Sequence, residues 1–136
     1  MDIIVSHEQG EVPVAVFHID GDIDSSTSDQ FERAAFQEIE GGAHYLLFDL
    51  SKVSFMSSAG FRTLTKVFKK LGSQSTDLNE EELHKGITTG TYKSPYLKLF
   101  KPSKLVAGTL KIAGFDMFLE EVQGTLQAAI ASFHKV

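Results

Sequence analysis

The run Tyr45-Leu46-Leu47-Phe48-Asp49-Leu50 is almost unbroken in its apolar character. Such a run suits a strand covered by protein on both faces, as in a parallel sheet flanked by helices, and not the half-wet strand of a simple meander. The chain upstream agrees. Ile3 to Ser6 reads as a short strand, Glu8 to Glu11 as a turn, and Val14 to Ile19 as a second strand. Period-two alternation places Ala15, Phe17 and Ile19 on one face and Val14, Val16 and His18 on the other. The close spacing predicts an antiparallel hairpin. Gly21-Asp22-Ile23-Asp24 then breaks the second strand, and Thr27 with Gln30 three residues later forms a capping box. The helix that follows, Ser28 to Ile39, carries Phe31, Ala35 and Ile39 as an apolar stripe, and Gly41-Gly42 ends it through the left-handed conformation open to glycine.

The second half repeats this alternation. A short run from Val53 to Met56 leads into Ser57-Ser58-Ala59-Gly60 and a helix to about Leu71, with Phe61, Leu64, Phe68 and Leu71 inward and Gly72 as its stop. Tyr96 to Phe100 is a strand. Pro102 fits the first turn of a helix that carries Leu105, Val106 and Leu110 and closes at Gly114. Phe118 to Val122 reads as a last strand. Thr125 caps a terminal helix with Leu126, Ala129, Ile130 and Phe133 inward. The order ββαβαβαβα predicts an α/β fold: a mostly parallel mixed sheet of about five strands, backed by about four helices, with right-handed crossovers. One domain over 1–136 is expected, interrupted by a polar insert at about 73–95 in which Asp77 and Glu80 cap a short helix that Gly86 closes.

Several function classes are excluded. With no cysteine, neither disulfides nor thiolate catalysis nor cysteine-held metals are available. No apolar run approaches the roughly 20 residues of a membrane helix, and the start lacks the pattern of a signal peptide, so a cytoplasmic location and no membrane insertion are expected. A net charge of −5 disfavours nucleic acid, and the groups Lys66, Lys69, Lys70 and Lys98, Lys101, Lys104 read as solvated helix faces. The acids around Gly21 do not match a calcium loop, and no two of the five histidines share a ligand spacing on one helix. No metal or cofactor is expected. Met56 stands where a hydrolase elbow needs glycine, and 85–92 lacks the Lys-Ser/Thr ending of a phosphate loop. No enzymatic activity is expected. Phe55, Phe61 and Phe68 read as core.

The remaining feature is the serine pair where a strand runs into a helix. The first N–H groups of a helix lack partners within it. A serine hydroxyl there satisfies one, and a phosphoryl group would be favoured there. On this segment alone a simple N-cap is the more economical reading. Two segments together, Gly21-Asp22-Ile23-Asp24 and Asp49-Leu50-Ser51-Lys52-Val53-Ser54-Phe55 followed by Ser57-Ser58-Ala59-Gly60, resemble the STAS family of bacterial anti-sigma factor antagonists. A softer match continues in Lys101-Pro102-Ser103-Lys104 and Ala113-Gly114-Phe115.

The resemblance implies a binding module regulated by a partner serine/threonine kinase, with Ser58 as phosphoacceptor. Ser57 replaces an aspartate common in the family and is the alternative acceptor. Asp22, Asp24, Ser57, Ser58 and Gly60 would meet the partner, an anti-sigma factor or switch kinase. Two other readings stay open. One is a structural subunit of a homo-oligomer or larger assembly, of stressosome or transporter type. The other is a small-ligand sensor, for instance for a nucleotide.

Overall fold

A computed structural model describes residues 1–73 and 93–135. Strand β1 (Asp2–Gln9) pairs antiparallel with β2 (Pro13–Asp20). There follow helix α1 (Ser28–Glu40), strand β3 (Leu46–Lys52), helix α2 (Ser58–Ser73), strand β4 (Leu97–Phe100), helix α3 (Lys104–Ile112), strand β5 (Glu120–Val122) and helix α4 (Leu126–Ala131). The five strands form one sheet in the order β1-β2-β3-β4-β5, and every neighbouring pair after the first is parallel. The α/β class, the hairpin and the mixed, mostly parallel sheet are as the sequence predicts.

Alternation along β2 decides which layer covers which face. Ala15, Phe17 and Ile19 join Phe31 and Ile39 of α1, Leu64 and Phe68 of α2 and Val106 and Leu110 of α3 in the larger core. Val14 and Val16 join Leu47, Phe100 and α4's Ala129 and Ile130, with Phe133, in a smaller one. Phe48 anchors the larger core. Its ring meets Phe17 edge-on at 5.1 Å and Phe31 at 4.9 Å, an arrangement that suits the positive edge and negative face of aromatic rings.

Local chemistry departs from expectation at several points. The Thr27–Gln30 capping box does not form. The Thr27 hydroxyl turns back to donate to the Asp22 carbonyl and accept from the Asp24 N–H, and Gln30 donates to the Met1 carbonyl. By contrast, α1 does end through a left-handed glycine of the Gly41-Gly42 pair, as expected; it is Gly42 (φ +108). The Gly42 and Ala43 N–H groups close a Schellman motif on the carbonyls of Ile39 and Glu38. Gly72 does not stop α2, which runs to Ser73. Pro102 precedes α3 instead of entering its first turn, because Ser103 is the cap and accepts from the Val106 N–H at 3.3 Å. The last strand starts at Glu120 because Phe115–Met117 is a short 3₁₀ turn. Leu105 is exposed. Lys98 is no solvated helix residue: it is buried on β4, where its ammonium donates to the Ser132 carbonyl at 2.9 Å, pairs with Glu120 and lies over Phe133. This pin holds α4 against the sheet.

The insert boundary also shifts. Ser94 is buried; its N–H donates to the Phe118 carbonyl, and its hydroxyl accepts from the N–H groups of Tyr96 and Leu97. Position 94 therefore belongs to the framework that starts β4. The readings made for 74–92, including the short helix between Asp77 and Gly86, lie outside the described residues.

Candidate functional site

The site is built where β2 and β3 leave the sheet together. The register of their pairing slips between His18 and Asp20, so that Asp20 faces Lys52. A bulge of this kind re-aims the chain beyond it. Gly21, at φ +119, donates to the Lys52 carbonyl at 3.2 Å. Ile23 then donates to the Phe55 carbonyl at 3.0 Å and accepts from the Ser57 N–H at 2.9 Å. Ile23 and Met56 form an isolated parallel bridge, and both are buried. The acidic turn and the serine segment, 34 positions apart at Ile23 and Ser57, are thus zipped by backbone hydrogen bonds.

The turn holds itself by its own hydroxyls. The Asp24 carboxylate accepts from the Ser26 hydroxyl at 2.6 Å and the Ser26 N–H at 2.9 Å. These bonds, the hydroxyl's first, hold its carboxyl below the ordinary range, so the group is ionised at neutral pH. Asp22 and Asp24 flank the inward Ile23, which leaves Asp22 exposed and Asp24 half-exposed beside the start of α2.

The two serines have different jobs. The Ser57 carbonyl accepts the first helical bond, from Phe61 at 3.1 Å, and its hydroxyl accepts from the Ala59 N–H at 3.2 Å. Ser57 is therefore the N-cap. Ser58 is the first helical residue and is exposed, and its hydroxyl makes no hydrogen bond among the described residues. Gly60 is buried and presents no side chain to a partner. A Cβ there would lie 2.6 Å from Met56 Cγ and 2.9 Å from Ile23 Cγ2, so the glycine lets α2 lie against the zipped pair. Phe55, expected in the core, is 48% exposed beside the site. Val53 and Met56 take the inward places, and the backbone of Phe55 is held by Ile23. Asp49 explains the Asp-Leu-Ser spacing: its carboxylate accepts from the Ser51 N–H and hydroxyl at 3.1 and 2.6 Å.

One constellation escaped sequence reasoning. Ser6 Oγ lies 3.2 Å from His18 Nε2, and His18 Nδ1 lies 3.3 Å from Asp49 Oδ2, across β1, β2 and β3. The order of contacts is that of a hydrolase triad. Ser6, however, sits within a paired strand and not on the sharp strand-to-helix turn that exposes a nucleophile. Only the cross-strand register brings these residues together, and no local pattern reports it. Among the described residues no group of three or more acids and histidines is arranged to hold a metal ion. No helix among them is long and apolar enough to cross a membrane.

A family model described as the STAS domain matches residues 4–79. No curated protein matches the sequence. Solved structures share the fold. The anti-sigma factor antagonist SpoIIAA in its unphosphorylated form is 15% identical, with a TM-score of 0.69, over 95% of this chain and 93% of that one. A putative anti-sigma factor antagonist from Thermotoga maritima is 16% identical, with a TM-score of 0.67, over 88% and 86%. The Bacillus cell fate determinant SpoIIAA in its phosphorylated form is 15% identical, with a TM-score of 0.64, over 95% and 96%.

Proposed function

This chain belongs to the STAS domain family, and we propose that it is a non-enzymatic protein-binding module switched by phosphorylation of Ser58. Unmodified, it docks on an anti-sigma factor or a serine/threonine switch kinase. The observation that carries this reading is the division of labour between the serines. Ser57 is committed to the helix cap, while Ser58 offers an exposed, uncommitted hydroxyl one residue later. A phosphoryl group there adds about −1.5 to −2 charges at pH 7. Asp22 and the ionised Asp24 already make that surface acidic. A partner surface packed over it would have to bury the added dianion with no counter-charge of its own to meet it, which is costly. That this fold is known for SpoIIAA in both phosphorylation states supports modification without rearrangement.

Site mapping by mass spectrometry after incubation with the cognate kinase activity tests the acceptor. Phosphate is expected on Ser58, to persist in Ser57→Ala and to vanish in Ser58→Ala. Phosphate confined to Ser57 would remove the proposal's basis.

The non-enzymatic half has its own test. A screen of ester, phosphoester and nucleotide substrates is expected to give no turnover. Turnover lost in both Ser6→Ala and His18→Ala, or in Ser58→Ala, would overturn it.

A further inference from the structure

We infer that Arg62 is the intramolecular partner of a phosphate on Ser58, a positioning residue that draws the modified side chain back along α2. The inference rests on the reading of Ser58 as phosphoacceptor. Residues four apart on a helix share a face, with Cβ atoms about 6 Å apart. Helical side chains lean toward the N-terminus, so Arg62 leans toward Ser58. Ala59, Gly60, Thr63 and Leu64 are buried, whereas Ser58 and Arg62 are both exposed, which puts this pair on the solvent face.

Charge distinguishes Arg62 from its neighbours. Of the other cations on α2, Lys66 pairs with Glu32 at 3.0 Å, Lys70 lies 3.7 Å from Glu40 and over the Phe36 ring, and Lys69 is about three turns beyond Ser58, out of its reach. Arg62 makes no ion pair or hydrogen bond among the described residues, and the first turn of α2 holds no acid. Its guanidinium is uncommitted while Ser58 is unmodified. A phosphate on Ser58 would stand beside Asp22 and Asp24, across the Ile23–Met56 bridge. Arg62 is placed to offset that repulsion, and its planar fork matches phosphate oxygens two at a time. The modified protein then keeps the helix face of the unmodified one and differs from it in charge.

Phosphoserine encoded genetically at position 58 allows the test without a kinase. The second ionisation of the phosphate is followed by phosphorus NMR. In the Arg62→Gln protein it is expected about 0.5 pH unit or more higher than in the parent, because loss of a paired cation disfavours the dianion. Arg62→Lys should recover part of the shift. Lys69→Gln, which removes an exposed cation farther along α2, should leave the titration unchanged. Equal titration curves for the parent, Arg62→Gln and Lys69→Gln would overturn the inference, as would equal shifts in both glutamine variants. Either result leaves the phosphoacceptor reading standing. That reading fails instead if no kinase modifies Ser58, and the NMR titration does not depend on one.

Discussion

Replacing Gly60 with valine is expected to destabilise the domain by about 1–3 kcal/mol, the range for forcing extra atoms into a filled site. The new Cβ alone would stand 2.6 Å from Met56 Cγ and 2.9 Å from Ile23 Cγ2, with the Ile23 carbonyl oxygen at 3.4 Å. Neither side chain can retreat freely. Both are buried, and both belong to the bridge that zips the acidic turn to the serine segment. Relief therefore requires α2 to move off the bridge, which also displaces Ser57 and Ser58. Gly108 provides the contrast. It lies within α3, where an added Cβ meets nothing within 4 Å. Gly108→Ala is expected to stabilise by about 0.5–1 kcal/mol through helix propensity alone. Urea unfolding of the parent and the two variants separates these effects. A Gly60→Val midpoint equal to that of the parent would mean that α2 does not depend on this close approach.

What could be read from the sequence was whatever local periodicity controls. The alternation in β2 assigned its two faces correctly, and the unbroken run at Leu46 to Leu50 marked the central strand. Thr125 is the cap of the terminal helix, with its hydroxyl accepting from the Ala128 N–H. The failures share a physical cause, competition between a local signal and a distant one. Thr27 had two uses for its hydroxyl, and the turn at Asp22 and Asp24 won over the helix end. Phe55 looked apolar enough for the core, but Met56 took the inward place when its segment paired with Ile23. Lys98 looked like surface until β4 brought it under Ser132, 34 positions later.

The candidate site follows the same rule. Its residues were visible as two motifs, Gly21 to Asp24 and Ser57 to Gly60, but their adjacency was not. That adjacency rests on three backbone hydrogen bonds, from Gly21 to Lys52, Ile23 to Phe55 and Ser57 to Ile23. Backbone groups leave no trace in side-chain identity. The assignment of the cap to Ser57 was equally hidden, because either serine could serve as one.

Calorimetric titration of the protein's partner, captured from the source cell, tests the central claim most directly. Three forms are compared: unmodified, Ser58→Ala, and phosphoserine-58. Burying a charge against a partner surface that offers it no counter-charge costs about 2–5 kcal/mol. Phosphoserine-58 is therefore expected to bind at least about 30-fold more weakly than the unmodified protein. Ser58→Ala should bind as the unmodified protein does, since it removes only an uncommitted hydroxyl. Thermal unfolding of the three forms should differ by no more than a few degrees, since the first turn of a helix accommodates negative charge. Equal partner affinity for the unmodified and phosphorylated proteins would contradict the account.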